Sequence, residues 1–197
     1  MVNAWDEKYA MEEYRFGKEP NTFFKSVLDT LDAGKILIPA AGEGRDAVYA
    51  ATKGWDVYAF DLSSVGREKA LKLANEKGVT IHYEILDANN FDFTPNSYDA
   101  IGLIYMHLPP STRHWFHSNL ITCLKPGGLM FLEAFNQKQL PNSSGGPKEI
   151  ELLMTPELLK SDFTALVTGR CYEIQTELNE GNFHKGFAEV VRYTGRK

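Results

Sequence analysis

The sequence predicts an α/β protein with one Rossmann-like, doubly wound sheet of about seven strands, mostly parallel and ending in a C-terminal antiparallel hairpin. Short apolar segments alternate with segments of helical period as far as about residue 135, which is typical of parallel strands joined by crossover helices. Two strand-like segments joined through Gly181-Asn182 then predict the hairpin at the sheet edge. A chain of 197 residues, 43% of them apolar, suffices for one hydrophobic core, so we expect a single domain.

Each predicted element has its own local signal. The helices are expected at 6–14, 21–31, 45–53, 64–77 and 111–124, with a last helix starting at Thr155-Pro156-Glu157. Asn21 and either Ser63 or Ser64 are N-cap residues, and Gly78 closes the fourth helix as a C-cap. The strands are expected at 36–39, 57–60, 80–86, 98–105, 128–135, 172–178 and 187–193. The segment NSSGGP at 142–147 is polar and rich in glycine, which predicts a mobile loop.

A turn of small residues follows the first predicted strand. Ala40, Ala41, Gly42 and Gly44 let a ligand approach the backbone closely, and the N–H groups that open the next helix point towards that ligand. Asp61 ends the second strand about 20 residues later, where ribose hydroxyls are held in units of this kind. This strand-turn-helix-strand unit therefore predicts a site for a nucleotide-like cofactor.

Two cofactors compete for this turn. Gly42 to Ala47 satisfies the G-x-G-x-x-A pattern of nicotinamide-dinucleotide proteins, but the Glu43 carboxylate would repel a pyrophosphate. S-adenosylmethionine carries no phosphate, and its sulfonium and ammonium groups are positive. Its ribose and adenine need hydrogen-bond acceptors, for which Asp61 and Asp87 are placed at the ends of the second and third strands. The turn favours S-adenosylmethionine, and an NAD(P)-dependent oxidoreductase is the alternative.

Composition narrows the class of protein further. The net charge is −5, and no run of lysine and arginine interleaves with aromatic residues, which argues against a nucleic-acid partner. Cys123 and Cys171 belong to no C-x-x-C pattern, so we expect inert thiols rather than a disulfide or a zinc site. No apolar run approaches the roughly 18 residues of a membrane span. These observations predict a cytoplasmic protein without membrane contact, either a monomer or a homodimer.

Further segments resemble one family. The segments AAGEGRDAVYAA, FDLS, LDANNF, LKPGG, WDEKY, FGKEPNTF, MHLPPSTR, SGGPKEIELLMTPE and EGNFHKGFAEVVRYTGRK are similar to the class I S-adenosylmethionine-dependent methyltransferases, and most to their tellurite-resistance methyltransferase-like branch. The resemblance covers nearly the whole chain. It implies one methyltransferase domain over 1–197, made of a helical lid segment at 1–34, a cofactor-binding core at 35–135, and a lid loop, helix and hairpin at 136–197.

The resemblance also implies site residues. The implied cofactor-binding residues are Ala40, Ala41, Gly42, Gly44, Arg45, Asp61, Leu62, Asp87, Ala88 and Ile104. The family's first motif is altered here, because Ile38 stands where an acidic residue is usual and Ala40 replaces the first glycine. A non-catalytic S-adenosylmethionine-binding protein is therefore a second alternative. The leading aromatic residues Trp5, Tyr9, Tyr14 and Phe16 are expected either to cover the cofactor as a lid or to pack an amphipathic helix.

Methyl transfer to a small nucleophile, such as a thiol or a chalcogen oxyanion, needs alignment but neither a metal nor a covalent intermediate. A general base is optional, and His107 and His184 are the candidate catalytic residues. His107 follows the fourth strand, whereas His184 is predicted in the hairpin loop, where it would meet an anionic substrate together with Arg192. His114 and His117 lie three residues apart, but no local carboxylate completes a metal site, so we expect surface histidines and no metal.

Overall fold

The computed structural model describes residues 3–197, which form a seven-stranded mixed sheet with helices on both faces. The strands are Lys35–Pro39 (β1), Asp56–Asp61 (β2), His82–Ile85 (β3), Tyr98–Ile104 (β4), Leu124–Phe135 (β5), Val167–Glu180 (β6) and His184–Arg196 (β7). Their order is β3-β2-β1-β4-β5-β7-β6. The first five strands are parallel, and β7 runs antiparallel to both β5 and β6. The predicted fold class is confirmed.

The helices begin where the sequence supplies a capping side chain. They are Ala4–Tyr9 (α1), Thr22–Leu28 (α2), Arg45–Thr52 (α3), Ser64–Glu76 (α4), Pro110–Cys123 (α5) and Pro156–Asp162 (α6). The side chains of Asn21, Ser63 and Thr155 each accept a hydrogen bond from a backbone N–H in the first turn of α2, α4 and α6. The prediction for the first helix is wrong at its end, because α1 stops at Tyr9 rather than continuing to Tyr14.

The core lies on both faces of the sheet because successive side chains of a strand point to opposite sides. On one face, Ile36 and Ile38 of β1 pack with Phe24 of α2. On the other face, Leu37 packs with Phe116 of α5. The alternation in β1 therefore fixes both helical layers. Among residues 3–197, no helix is both long enough and apolar enough to cross a membrane.

The hairpin strands are longer than the sequence predicts. The sequence predicts a strand at 187–193, but β7 begins at His184. This histidine therefore lies in a strand and is buried, not in an exposed loop. β6 is an edge strand with mostly exposed side chains. Because many of these side chains are polar, the hydrophobic pattern of the sequence predicts a shorter strand. β7 lies between β5 and β6, so its backbone is hydrogen-bonded on both sides.

Candidate cofactor and acceptor site

A cavity of about 860 Å³ opens at the carboxyl ends of β1, β2 and β4. The chain crosses to opposite sides of the sheet from β1 and β4, and open α/β sheets bind their ligands at such a switch point. The segment 5–17, called the leading segment below, and the loop 143–149 also line the cavity and lie over it. All the residues predicted for cofactor binding and catalysis line it except Gly44. The sequence therefore predicted residues that converge on one cavity.

The turn after β1 is held tightly. Ala40 and Gly42 both have positive φ angles, of 51° and 54°. Gly42 donates its N–H to Asp61, and its carbonyl accepts from the Tyr83 hydroxyl at 2.6 Å. A Cβ atom on Gly42 would lie 2.7 Å from the Tyr9 hydroxyl oxygen. Glycine is therefore required at 42, whereas alanine at 40 carries backbone strain of about 1 kcal/mol that a glycine would avoid.

Gly44 has a different role from the predicted one. It caps α3 with a φ of 83° and does not line the cavity. A Cβ atom there would overlap the Ala70 side chain of α4. Gly44 is thus required for the close packing of α3 against α4, and the sequence motif alone does not distinguish this from contact with a ligand.

Two carboxylates face the cavity from the ends of β2 and β3. Asp61 accepts hydrogen bonds from the Gly42 and Ser63 N–H groups at 3.0 and 2.9 Å, and burial raises its pKa. Asp87 uses Oδ1 to accept from Asn89, while its Oδ2 has no hydrogen-bond partner within residues 3–197. Each carboxylate oxygen has two lone pairs, so both groups keep acceptor capacity for hydroxyl or amino donors. Two carboxylates with acceptor capacity at neighbouring strand ends suit the hydroxyl groups of a ribose and the amino group of an adenine.

Glu43 repels a pyrophosphate less than its position in the turn indicates, because a lysine lies beside it. Its carboxylate is buried and lies 2.5 Å from the Lys69 ammonium group. The Lys69 ammonium also donates to the carbonyls of Tyr9, Met11 and Glu13, so the contact with Glu43 is ionic without an aligned hydrogen bond. The negative charge of Glu43 is therefore compensated, and repulsion by it excludes a dinucleotide less strongly than the sequence indicates.

Lys69 also fastens the leading segment over the cavity. Trp5, Tyr9 and Phe16 of this segment line the cavity, and their rings contact one another in sequence at 5.4 and 6.5 Å. Tyr14 does not line it, because its hydroxyl turns outward to the carbonyl of Lys69. Three of the four expected aromatic residues thus form a cover above the cavity.

The loop 142–147 is anchored, which does not favour the mobility expected from its composition. The Gln139 amide donates to the Ser144 hydroxyl and to the Gly145 carbonyl, at 2.9 and 3.0 Å. Ser144 is buried and donates to the carbonyl of Phe187 in β7. These bonds hold the loop against the terminal hairpin.

His184 lies at the far side of the cavity among aromatic rings. The ring centroids of Phe16, Tyr105 and Phe135 are 4.3, 4.8 and 5.3 Å from its imidazole. Its Nδ1 atom is 3.2 Å from a carboxylate oxygen of Glu180. Burial lowers the pKa of His184 and outweighs the opposing effect of Glu180, so the imidazole is neutral at pH 7. A neutral histidine with one nitrogen engaged keeps its second nitrogen as an acceptor.

A buried polar network joins this histidine to the rest of the molecule. Glu180 accepts from Arg45 of α3 and from the Asn21 amide, both at 2.9 Å. Asn21 also donates to Glu133 of β5, which accepts from Arg192 at 2.6 Å. Arg192 is therefore engaged by a carboxylate, and the expectation that it meets an anionic substrate beside His184 is not supported. No sequence pattern indicates this network, because its members are distant along the chain.

His107 lines the cavity, but both of its ring nitrogens are engaged. Nδ1 is 2.8 Å from the Leu152 carbonyl, and Nε2 accepts weakly from the Phe135 N–H at 3.4 Å. Burial lowers the pKa of His107 to about 4. These contacts indicate that His107 holds the backbone at Leu152 and Phe135 in place and does not act as a base.

This environment of His107 predicts acid sensitivity. The histidine is neutral in the folded chain down to about pH 4 but becomes protonated below about pH 6.5 once unfolded. The unfolded state then binds more protons, so the stabilisation is present above pH 6.5 and is lost as the pH falls towards 4. We expect His107→Gln to reduce the loss of stability between these pH values by about 3 kcal/mol, measured by urea unfolding at a series of pH values. An unchanged pH slope in the variant would contradict this assignment.

The α5 histidines are held by a carboxylate that is distant in sequence. His114 and His117 each place Nδ1 at 2.9 Å from Asp162 of α6, and Arg113 donates to the same carboxylate at 2.8 Å. His117 is fully buried, so its prediction as a surface histidine is wrong. Asp162 is 45 residues from His117, so the sequence around the two histidines contains no carboxylate that could partner them. No group of residues suited to a metal ion occurs within 3–197.

Comparisons with known proteins agree with this geometry. Residues 36–128 match the family model described as a methyltransferase domain. No curated protein matches the sequence significantly. Solved structures with the same fold are numerous, and the three that follow cover 89–100% of this chain.

The first of these structures comes from a study of the conversion of a disulfide bond into a thioacetal group during echinomycin biosynthesis. It has 15% identity and a TM-score of 0.82, and the match covers 100% of this chain and 91% of that chain. TehB from Haemophilus influenzae has 16% identity and a TM-score of 0.74, with 98% of this chain but only 65% of that chain covered.

The third structure is the 1,6-didemethyltoxoflavin-N1-methyltransferase of Burkholderia thailandensis with bound 1,6-didemethyltoxoflavin and S-adenosylhomocysteine. It has 18% identity and a TM-score of 0.64, and the match covers 89% of this chain and 77% of that chain. The family match spans the glycine turn, Asp61 and Asp87, which decides against the nicotinamide alternative. The chain therefore has the class I methyltransferase fold, and the part of it that carries the glycine turn, Asp61 and Asp87 matches a methyltransferase domain.

Proposed function

We propose that this enzyme transfers the methyl group of S-adenosylmethionine to a small-molecule nucleophile, such as a thiol or a chalcogen oxyanion. The observation that carries this proposal is a single covered cavity with two chemically distinct sides. One side has the glycine turn with Asp61 and Asp87, and the other has aromatic rings around His184. A cavity lined on one side by the leading segment and the loop 143–149 favours a small acceptor over a macromolecule.

The described residues fit the cofactor. Asp61 would hold the ribose hydroxyls, Asp87 the adenine amino group, and Gly42 gives the backbone room for close approach. Ile38 offers no carboxylate for the methionine ammonium group, so that end depends on other groups of the cavity. When bound, the cofactor supplies a methyl group activated by a positive sulfur. The protein contributes alignment, exclusion of water and a covered volume.

The relatives support a small acceptor, although at this level of identity they share only the fold. The Burkholderia enzyme acts on 1,6-didemethyltoxoflavin, a small molecule. The echinomycin study concerns a reaction at sulfur, and TehB is the structural relative that corresponds to the tellurite-resistance branch of the sequence resemblance. Soft nucleophiles at sulfur, selenium or tellurium are therefore the acceptors to examine first.

Two measurements test the proposal. Calorimetric titration with S-adenosylmethionine, S-adenosylhomocysteine and NADH should give micromolar binding of both adenosyl ligands and no signal for NADH. Formation of S-adenosylhomocysteine should then require an acceptor from a panel of thiols, selenite and tellurite. Binding without turnover across the whole panel would instead support the non-catalytic alternative.

A further inference from the structure

We propose that Glu180 is a positioning residue that holds His184 as the general base, and that the methyl acceptor is a thiol that arrives protonated. This inference rests on the proposed function, because it names the acceptor class of the same cavity. It chooses the thiol over the chalcogen oxyanion. The charged and aromatic groups around His184 support this choice of acceptor.

Glu180 determines which imidazole nitrogen carries the proton. A carboxylate only accepts hydrogen bonds, so Nδ1, at 3.2 Å from Glu180, must be the protonated nitrogen of neutral His184. Nε2 then has a free lone pair, and it has no hydrogen-bond partner within residues 3–197. His184 lines the cavity, so this lone pair is available to a proton that an acceptor brings in. His107, by contrast, has both nitrogens engaged.

Glu180 itself is kept ionised. Burial alone would raise its pKa, but the hydrogen bond with His184 and the charge of Arg45 outweigh burial and lower it. The Asn21 amide donates to the second carboxylate oxygen at 2.9 Å. Three donors from separate segments thus fix the carboxylate in place, and it in turn fixes the ring of His184.

The charges around His184 favour a neutral acceptor over an oxyanion. The titratable and charged groups that face it from the surrounding segments are Glu180 from β6, Arg45 from α3, Arg15 from the leading segment, His107, and Tyr105, whose hydroxyl donates to Glu133. Arg45 is engaged by Glu180 and by the Phe16 carbonyl, and the Arg15 guanidinium lies over the Phe183 ring at 3.4 Å with its buried Nε unpartnered. One such N–H is fewer than the several donors that hold an oxyanion, and aromatic rings surround the imidazole on its other sides.

The reaction balances with the groups present. The thiol sulfur attacks the methyl carbon and forms an S–C bond, while the bond between that carbon and the sulfonium sulfur breaks and leaves its electron pair on the sulfonium sulfur. The S–H proton passes to Nε2 of His184 and later to solvent. A thiol with a pKa of about 8.5 is mostly protonated at pH 7, so its removal by a base accelerates the reaction.

A comparison of two thiols tests the dyad. Benzyl mercaptan is mostly protonated at neutral pH, whereas 4-nitrothiophenol is already ionised. We expect His184→Gln to lower kcat/KM for benzyl mercaptan about 100-fold or more and to change that for 4-nitrothiophenol less than tenfold. Glu180→Gln should lower kcat/KM for benzyl mercaptan about tenfold with little effect on 4-nitrothiophenol. Activity with the ionised thiol also shows that each variant is folded.

A matched control and an independent readout complete the test. His82 is an exposed residue of β3, and its Nε2 lies 3.7 Å from a carboxylate oxygen of Asp56. His82→Gln should change kcat/KM for neither thiol. Imidazole ¹⁵N NMR of the wild type without cofactor should show His184 protonated at Nδ1, and Glu180→Gln should mix the two tautomers.

The outcomes separate the two proposals. Equal losses with both thiols, or a His184 ring protonated at Nε2 in the wild type, would overturn the dyad. Turnover of selenite or tellurite without turnover of either thiol would overturn the acceptor class. Turnover of no acceptor at all would contradict the proposed function itself.

Discussion

Replacing Asp162 with alanine should lower the free energy of unfolding by about 3–5 kcal/mol, because the change leaves the buried Arg113 guanidinium without its carboxylate. Asp162 is buried and is shared by Arg113, His114 and His117 at 2.8 to 2.9 Å. It joins α5 to α6, so its loss also loosens the packing of these helices. Urea unfolding at pH 7 measures the difference, with the slope of the transition as a check on two-state behaviour.

His114→Ala is the matched control, because its side chain is mostly exposed and should contribute far less than Asp162. The pH dependence gives a second check. Burial alone would raise the pKa of Asp162, but hydrogen bonds from His117, Arg113 and His114 hold it well below its ordinary value. The stabilisation is therefore complete above about pH 3.9 and is lost as the pH falls further. A wild type and variant of equal stability at pH 7 would show that the cluster is dispensable.

Asp61→Ala should weaken the binding of S-adenosylhomocysteine at least tenfold while the protein remains folded. The Asp61 carboxylate orders the cofactor turn through Gly42 and the start of α4 through Ser63, and it is the predicted acceptor for the ribose hydroxyls. Alanine removes both the acceptor and the ordering of the turn, and each hydrogen bond to a charged group contributes about 1.5–3 kcal/mol. Calorimetric titration measures the affinity, and circular dichroism confirms the fold.

Asp56→Ala provides the control for Asp61, because Asp56 is exposed at the opposite end of the same strand. The Asp56→Ala variant should bind S-adenosylhomocysteine with the same affinity as the wild type. Asp61→Asn separates the two roles, since the amide retains an acceptor oxygen but loses the charge and one acceptor position. Unchanged affinity in a folded Asp61→Ala protein would contradict the ribose assignment.

The fold was predictable because each of its parts has a local signal. The small-residue turn after β1, the caps at Asn21 and Ser63, and the break at Gly181 all depend on residues within a few positions of one another. The length of β6 was not predictable in this way. An edge strand with exposed polar side chains lacks the alternation that marks a half-buried strand.

The convergence of Asp61 and Asp87 on one cavity was also predictable, because they lie at the ends of strands whose carboxyl ends meet at one edge of the sheet. The acceptor side was predictable only in part. His184 is predicted as a candidate, but its partner Glu180 is not, because four residues across a tight turn give no sign that the two side chains meet. Long-range pairs such as His117 with Asp162 are created by packing and have no local pattern.

The strand order has a consequence for the order in which the molecule assembles. The strands β1 to β4, which carry the cofactor turn and both recognition carboxylates, are complete once residue 104 has been made. β7 must enter between β5 and an edge strand that precedes it in the chain, so the β5-β7-β6 part of the sheet closes only after residues 184–196 have emerged. During synthesis the segments that carry the glycine turn, Asp61 and Asp87 therefore emerge before those that carry Glu180 and His184. The two sides of the cavity come from parts of the polypeptide that are made at different times.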